Sequence, residues 1–129
     1  MWGMRKFVSA LIGLSLCAPA ALYLFTPIEQ FRLQSPDGNH TAVVSSFRLW
    51  QWIPSLPGDA GDMPGRVEIF DKSNTSLGSM PLTTIAMARD LQWIEQGARI
   101  RLVGSWNFQQ GFYAYWNDDQ SQLVFKQVN

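Results

Sequence analysis

The sequence predicts a mostly β protein, with an N-terminal transmembrane helix followed by one small antiparallel β-sheet or sandwich domain. Two observations carry this expectation. Phe7–Phe25 is a run of 19 residues without a charge, directly after Arg5 and Lys6. Beyond Pro27 the pattern changes to short alternating segments separated by turn residues, with no amphipathic helical period. The change divides the 129 residues into a segment 1–26 and a domain 27–129.

The apolar run comes first. Nineteen residues at about 1.5 Å each span roughly 28 Å, close to the hydrocarbon thickness of a bilayer. Retention as a signal-anchor is the leading expectation, because "ALYLF" carries the run past Ala18-Pro19-Ala20. Cleavage after that A-x-A-like site is the alternative and would leave a soluble periplasmic domain. Lipidation at Cys17 is the third fate, disfavoured by the large Leu16 before it. Pro19 would kink the helix or mark its near end. In every case the two bases hold the N-terminus on the cytoplasmic side. Residues 27–129 are then expected in the bacterial periplasm, on a single-pass inner-membrane anchor.

The strands follow in order. "IEQFRLQ" alternates Ile28, Gln30/Phe31 and Leu33, and "SPDG" turns the chain at Ser35–Gly38. "HTAVVSSF" is rich in β-branched residues. "RVEIFD" sets Val67 and Ile69 on one face and Glu68 and Phe70 on the other. Asn74 in "KSNTSLG" suits a positive backbone angle, and Pro81 confines "LGSMPLTT" to a sheet edge. "TTIAMARD" fits either a helical turn or an extended link. "EQG" joins a strand carrying Trp93 to "ARIRLVG", where Ile100 and Leu102 alternate with Arg99 and Arg101. "FYAYW" and "QLVFKQV" close the chain as a hairpin around "NDDQ". Seven or eight short strands are expected.

Three of these stretches, "SPDGNHTAVVS", "VEIFDKSNTSLG" and "DLQWIEQGARIRLVG", together resemble one blade of a TolB-type β-propeller. Such blades combine a Ser-Pro-Asp-Gly turn, a strand ending in Asp, and a Trp-bearing strand before a hairpin. The resemblance implies a blade-like meander and transfers no function, because one blade cannot close a ring. The layout of basic N-terminus, single anchor and small β-domain resembles small membrane-anchored envelope proteins of Gram-negative bacteria.

Composition narrows the chemistry. Without Arg5 and Lys6, eight bases face ten acids, a balance of about −2. Nucleic-acid binding needs a basic surface and is not expected. Cys17 is the only cysteine and His40 the only histidine, so neither a disulfide nor a multi-imidazole metal site is expected. His40, Asp37 and Ser45 or Ser46 supply the letters of a catalytic triad but crowd one turn and its strand, without a nucleophile elbow. Asp59 and Asp62 are three apart with no closing acid before Glu68, a poor calcium loop. Asp118 and Asp119 read as hairpin-turn residues. No catalytic residue, metal or cofactor is therefore expected.

The tryptophans are the informative excess. Trp93, in phase with Leu91, is expected in the core. Trp106 and Trp116 flank "NFQQGFYAY", either a core hairpin or an exposed aromatic ledge. Trp50 and Trp52, two apart, point the same way if extended, and they open a long connection. That pair fits a lid on the sheet edge, a partner-binding site or a bilayer contact. The leading functional expectation is a non-enzymatic module binding another envelope protein through Trp50 and Trp52. The alternative is a carbohydrate binder that stacks sugars on Trp106, Tyr113, Tyr115 or Trp116.

Overall fold

A computed structural model describes residues 2–52 and 63–128. Helix α1 (Trp2–Leu24) is followed by nine described strands in two antiparallel sheets. The first sheet contains β1 (Pro27–Gln34), β2 (His40–Phe47), β3 (Gly65–Asp71) and β4 (Ser76–Leu82) in sequential order. The second contains β5 (Gln92–Ile94), β6 (Gly97–Ile100), β7 (Gly104–Asn107), β8 (Phe112–Asn117) and β9 (Gln122–Gln127), again in sequential order. Each sheet is a meander in which sequential strands pair antiparallel; most connections within a sheet are short turns, and the β2–β3 connection, residues 48–64, is the long one. The three stretches that resemble a propeller blade divide between the two sheets.

Helix α1 holds 23 residues, about 34 Å at 1.5 Å per residue. It is long and apolar enough to cross a membrane, and none of its residues 3–24 is buried. The helix runs through Pro19 to Leu24, so the proline does not end it. Helices in lipid tolerate proline in this way.

The strand faces follow the alternation read from the sequence. Val67 and Ile69 are fully buried while Arg66 points to solvent. The doubled position in β1 is a bulge: register shifts between Glu29 and Phe31, so Gln30 is the extra residue. Turn chemistry is local. Gly38 donates its N–H to Ser35 O (3.0 Å) with φ 73°, and Asn74 takes φ 60°. Pro81 lies on β4, an edge of the first sheet, where its missing N–H removes no central ladder bond.

"TTIAMARD" resolves as a 3-10 helix, Ile85–Asp90, that links the two sheets. The Thr84 hydroxyl caps it by accepting from Ala86 N, and Ile85 and Ala88 enter the core. One strand is shorter than the alternation implied. β6 stops at Ile100, and Leu102 sits in the following turn at φ 63° and 82% exposed. A turn there lets Val103, not Leu102, fill the core position.

The core lies between the sheets. Ala42, Val44, Val67, Ile69 and Met80 from the first sheet meet Ala98, Ile100, Trp106 and Tyr115 from the second. Trp106 is the largest buried side chain, and its indole N–H donates to Gly78 O across the interface (3.1 Å). Gly78 is part of a second bulge, where Leu77 and Gly78 oppose Ile69. Its φ is +119°, and a Cβ there would stand 2.3 Å from the Tyr113 ring. Only glycine permits both the conformation and the close approach.

Two predictions follow from this interface and from the first turn. Trp106→Phe removes the indole donor, strands the Gly78 carbonyl and leaves a small void. It should lower unfolding stability by about 2–3 kcal/mol, and Gly78→Ala by at least as much. Urea unfolding of the full chain in detergent, followed by far-UV circular dichroism, measures both.

In the first turn the Asp37 carboxylate accepts hydrogen bonds from the Ser35 hydroxyl, from Asn39 N (3.0 Å) and from the Asn39 side-chain amide (3.2 Å). These bonds, the Ser35 hydroxyl foremost, hold it below its ordinary 3.8. The unfolded chain then takes up the proton first, so this stability is present above about pH 4 and is lost as pH falls through the lower folded value. Asp37→Ala should unfold more easily at neutral pH and lose less further stability on acidification below about pH 4.

Candidate functional site

The site forms where α1 meets the sandwich, and it exists because no linker separates them. Only Phe25 and Thr26 lie between the end of α1 and the start of β1. The exit is closed by hydrogen bonds. Phe25 N donates to Ala21 O (3.1 Å), and the Thr26 hydroxyl donates to Leu22 O (2.9 Å), satisfying carbonyls that a helix end leaves open.

Arg48, one residue beyond β2, clasps this end. Its backbone N–H donates to Thr26 O (3.0 Å), and its Nη1 donates to the Tyr23 hydroxyl (3.0 Å). The guanidinium carbon stands 4.3 Å from the Tyr23 ring centroid, within cation–π range. Phe25 and Phe47 meet edge to face at 6.0 Å. Two cross-contacts and a backbone bond therefore tie the helix end to the far end of β2.

Beyond the clasp, the four-residue helix α2 (Leu49–Trp52) turns the chain away, with Gln51 N donating to Arg48 O (3.1 Å). A cleft of about 390 Å³ opens beneath it, walled by Phe25, Phe47, Leu49, Trp50, Pro81 and Leu82. Its lining is almost entirely apolar. Ser45 and Arg66 also line it, and Arg66 Nη2 donates to the Ser79 hydroxyl (2.8 Å). Arg66 makes no ion pair with a described carboxylate.

A second cavity of about 390 Å³ shares the Pro64, Pro81 and Leu82 wall with the first. Its other side is mixed: apolar Met87, Leu102 and Val103 stand with Thr83, Trp116, Asn117, Asp118 and Asp119. The β8–β9 turn places the two aspartates. Asn117 Oδ1 accepts from Asp119 N (3.0 Å), and the Thr83 hydroxyl meets Asp118 Oδ2 at 3.3 Å. The two cavities thus stand on either side of a common wall, the first apolar and the second edged by Trp116, Asp118 and Asp119. The first can take an apolar chain and the second a cation or a polar group.

The aromatic candidates separate. Trp50 lines the cleft, whereas Trp52 is 70% exposed. They do not share a side, because positions two apart on a helical turn diverge where those of a strand would align. The sugar-stacking ledge loses two of its four rings. Trp106 and Tyr115 are buried in the core, since inward-facing positions of β7 and β8 pack on the first sheet. Tyr113 is half-buried, stacked on Tyr115 at 6.3 Å, and Trp116 alone stands out to solvent on β8. Trp93 is half-buried against the core, as expected in kind.

The polar candidates do not converge. His40 stacks on Phe108 at 4.2 Å and lies 6.4 Å from Trp93. The Ser46 hydroxyl, near the other end of β2, donates to Pro64 O (3.0 Å). Asp37 is occupied within its own turn. Asp59 and Asp62 lie outside the described residues. Sequence reasoning missed Arg48, Phe25 and Phe47. Only Phe25 stood beside the span in the sequence; Phe47 and Arg48 lie at the end of β2, and nothing local pairs residue 25 with residues 47 and 48.

The clasp is testable with the native cysteine. Cys17 is exposed on α1, and Gln110→Cys supplies a second exposed position in the β7–β8 turn. Spin labels at the two should give a narrow distance distribution by pulsed electron resonance in nanodiscs. Arg48→Ala should broaden it while the sandwich unfolds at nearly the same urea concentration; an unchanged width would show that the clasp does not orient the domain.

Comparison of the chain with protein-family models, with curated proteins and with solved structures returns no match.

Proposed function

We propose that this protein is a non-enzymatic, single-pass, membrane-anchored module of the bacterial envelope that binds another envelope component in the cleft at the exit of α1. The observation that carries the reading is the cleft itself: an open apolar volume beginning one residue beyond a helix fit to span a bilayer. Water in contact with such a lining is unfavourable, and large exposed apolar patches mark contact sites. Arg5 and Lys6 precede the apolar run and orient the N-terminus to the cytoplasm, which sets the sandwich in the periplasm. Tyr23, Trp50 and Trp52 near the exit suit the aromatic belt of the outer interface. Retention of α1 is favoured by its docked end, since Tyr23 and Thr26 are held by Arg48. A non-enzymatic role agrees with the dispersal of His40, Asp37 and Ser46 into separate structural contacts.

Photo-cross-linking in native membranes tests this. A benzoylphenylalanine at Leu49, inside the cleft, should yield defined adducts, and one at Gln110 should not. Ser45→Phe, which fills the cleft from its strand wall, should reduce the Leu49 adducts by about tenfold, the effect of removing a buried apolar contact. The reading fails if Leu49 labels no more than Gln110 does, or if Ser45→Phe leaves its adducts unchanged while the protein melts normally.

A further inference from the structure

We propose that the occupant of the cleft is a phospholipid of the adjoining leaflet with a zwitterionic, amine-bearing headgroup: one acyl chain enters the cleft, and its ammonium rests on Asp118, Asp119 and Trp116. The proposal rests on the reading above and names the ligand class of the same site.

Three observations favour a lipid over an apolar protein segment. The first is position. The cleft wall begins at Phe25, one residue past α1, so a helix that spans the bilayer sets the mouth at the boundary between headgroups and acyl chains. Bilayer lipid is present there at high effective concentration, tethered to the same surface as the protein. The second is shape and polarity. An apolar cleft that shares a wall with a half-polar cavity of similar size, the latter edged by Asp118 and Asp119, matches an amphiphile, with its chain in one and its head at the other.

The third is the order of charges. Arg66 lines the apolar cleft itself and makes no ion pair with a described carboxylate. Asp118 and Asp119 line the next cavity along the shared Pro64, Pro81 and Leu82 wall. A zwitterionic phospholipid presents its charges in that sequence, the phosphate nearest the chain and the amine beyond it. The guanidinium complements the phosphate. The aspartates complement the ammonium, and the exposed Trp116 ring offers it a cation–π face. An anionic lipid with an uncharged terminal headgroup would meet the aspartates without that attraction.

The experiment uses the full chain in nanodiscs holding either phosphatidylethanolamine or phosphatidylglycerol, each with a diazirine midway along one acyl chain. After irradiation, labelled peptides are mapped by mass spectrometry. Adducts should appear on the peptides carrying Phe47–Trp50 and Pro81–Leu82. Phosphatidylethanolamine should give about fivefold more of them, the ratio one exposed charge contact supports. The double variant Asp118→Asn/Asp119→Asn, whose side chains stand exposed on a turn, should erase that preference and keep the adducts. Equal labelling by both lipids in the wild type, or a preference that survives the double variant, overturns the headgroup assignment. Adducts confined to α1 overturn a lipid occupant altogether. In that case cleft-dependent adducts from Leu49 to a protein would leave the broader reading standing, so the two failures are distinct.

Discussion

The sandwich depends on one insertion between its layers. Trp106 leaves β7, crosses the interface and hydrogen-bonds the carbonyl of Gly78 on β4. A buried indole needs a partner for its N–H, and a bulged strand offers a carbonyl that the ladder does not use. The tyrosines of β8 close around that contact, with Tyr113 against Gly78 and Tyr115 in the core. The outward-facing residues of the same strand inherit the opposite role. Trp116 is exposed because alternation along β8 turns it away when Tyr115 turns in. The acidic cavity is thus edged by a ring that core packing itself assigns to solvent.

A second constraint shapes the end of the molecule where the cleft opens. With two residues between helix and first strand, the sandwich cannot swing freely from α1, and Arg48 removes more of that freedom by holding Tyr23 and Thr26. Rigidity here has a consequence for binding. Under the proposed reading, a cleft held at a fixed depth relative to a membrane span keeps its mouth at one level of the interface, which an appended flexible domain would not. Preorganisation of this kind lowers the ordering cost of association.

Much of the fold was legible in the residues. The apolar helix was readable from nineteen uncharged positions behind two bases, and the faces of β3 from Val67 and Ile69 alternating with Glu68 and Phe70. Turns declared themselves through Gly38 and Asn74, whose side chains or lack of one suit positive φ. Leu102 was misread because alternation cannot tell a strand's last residue from the turn that follows. The shared side expected of Trp50 and Trp52 held only for an extended piece, and the chain forms a helical turn there; a short apolar run is compatible with either. The site was only half legible. Trp50 belongs to it, but the sugar ledge dissolved once Trp106 and Tyr115 were placed in the core.

The sequence by itself determined the class of the protein: an apolar helix, then a meander of short strands whose alternation divides inside from outside. These are properties of neighbours along the chain, at periods of 3.6 and 2, and need no partner to be read. Only the tertiary structure decided that the strands split into two facing sheets, that Phe25 meets Phe47, and that Pro81 and Leu82 wall two cavities at once. Those outcomes depend on contacts between residues tens of positions apart. Such contacts are set by how volumes fill a shared core and where a helix end can be clasped, and no local pattern encodes either.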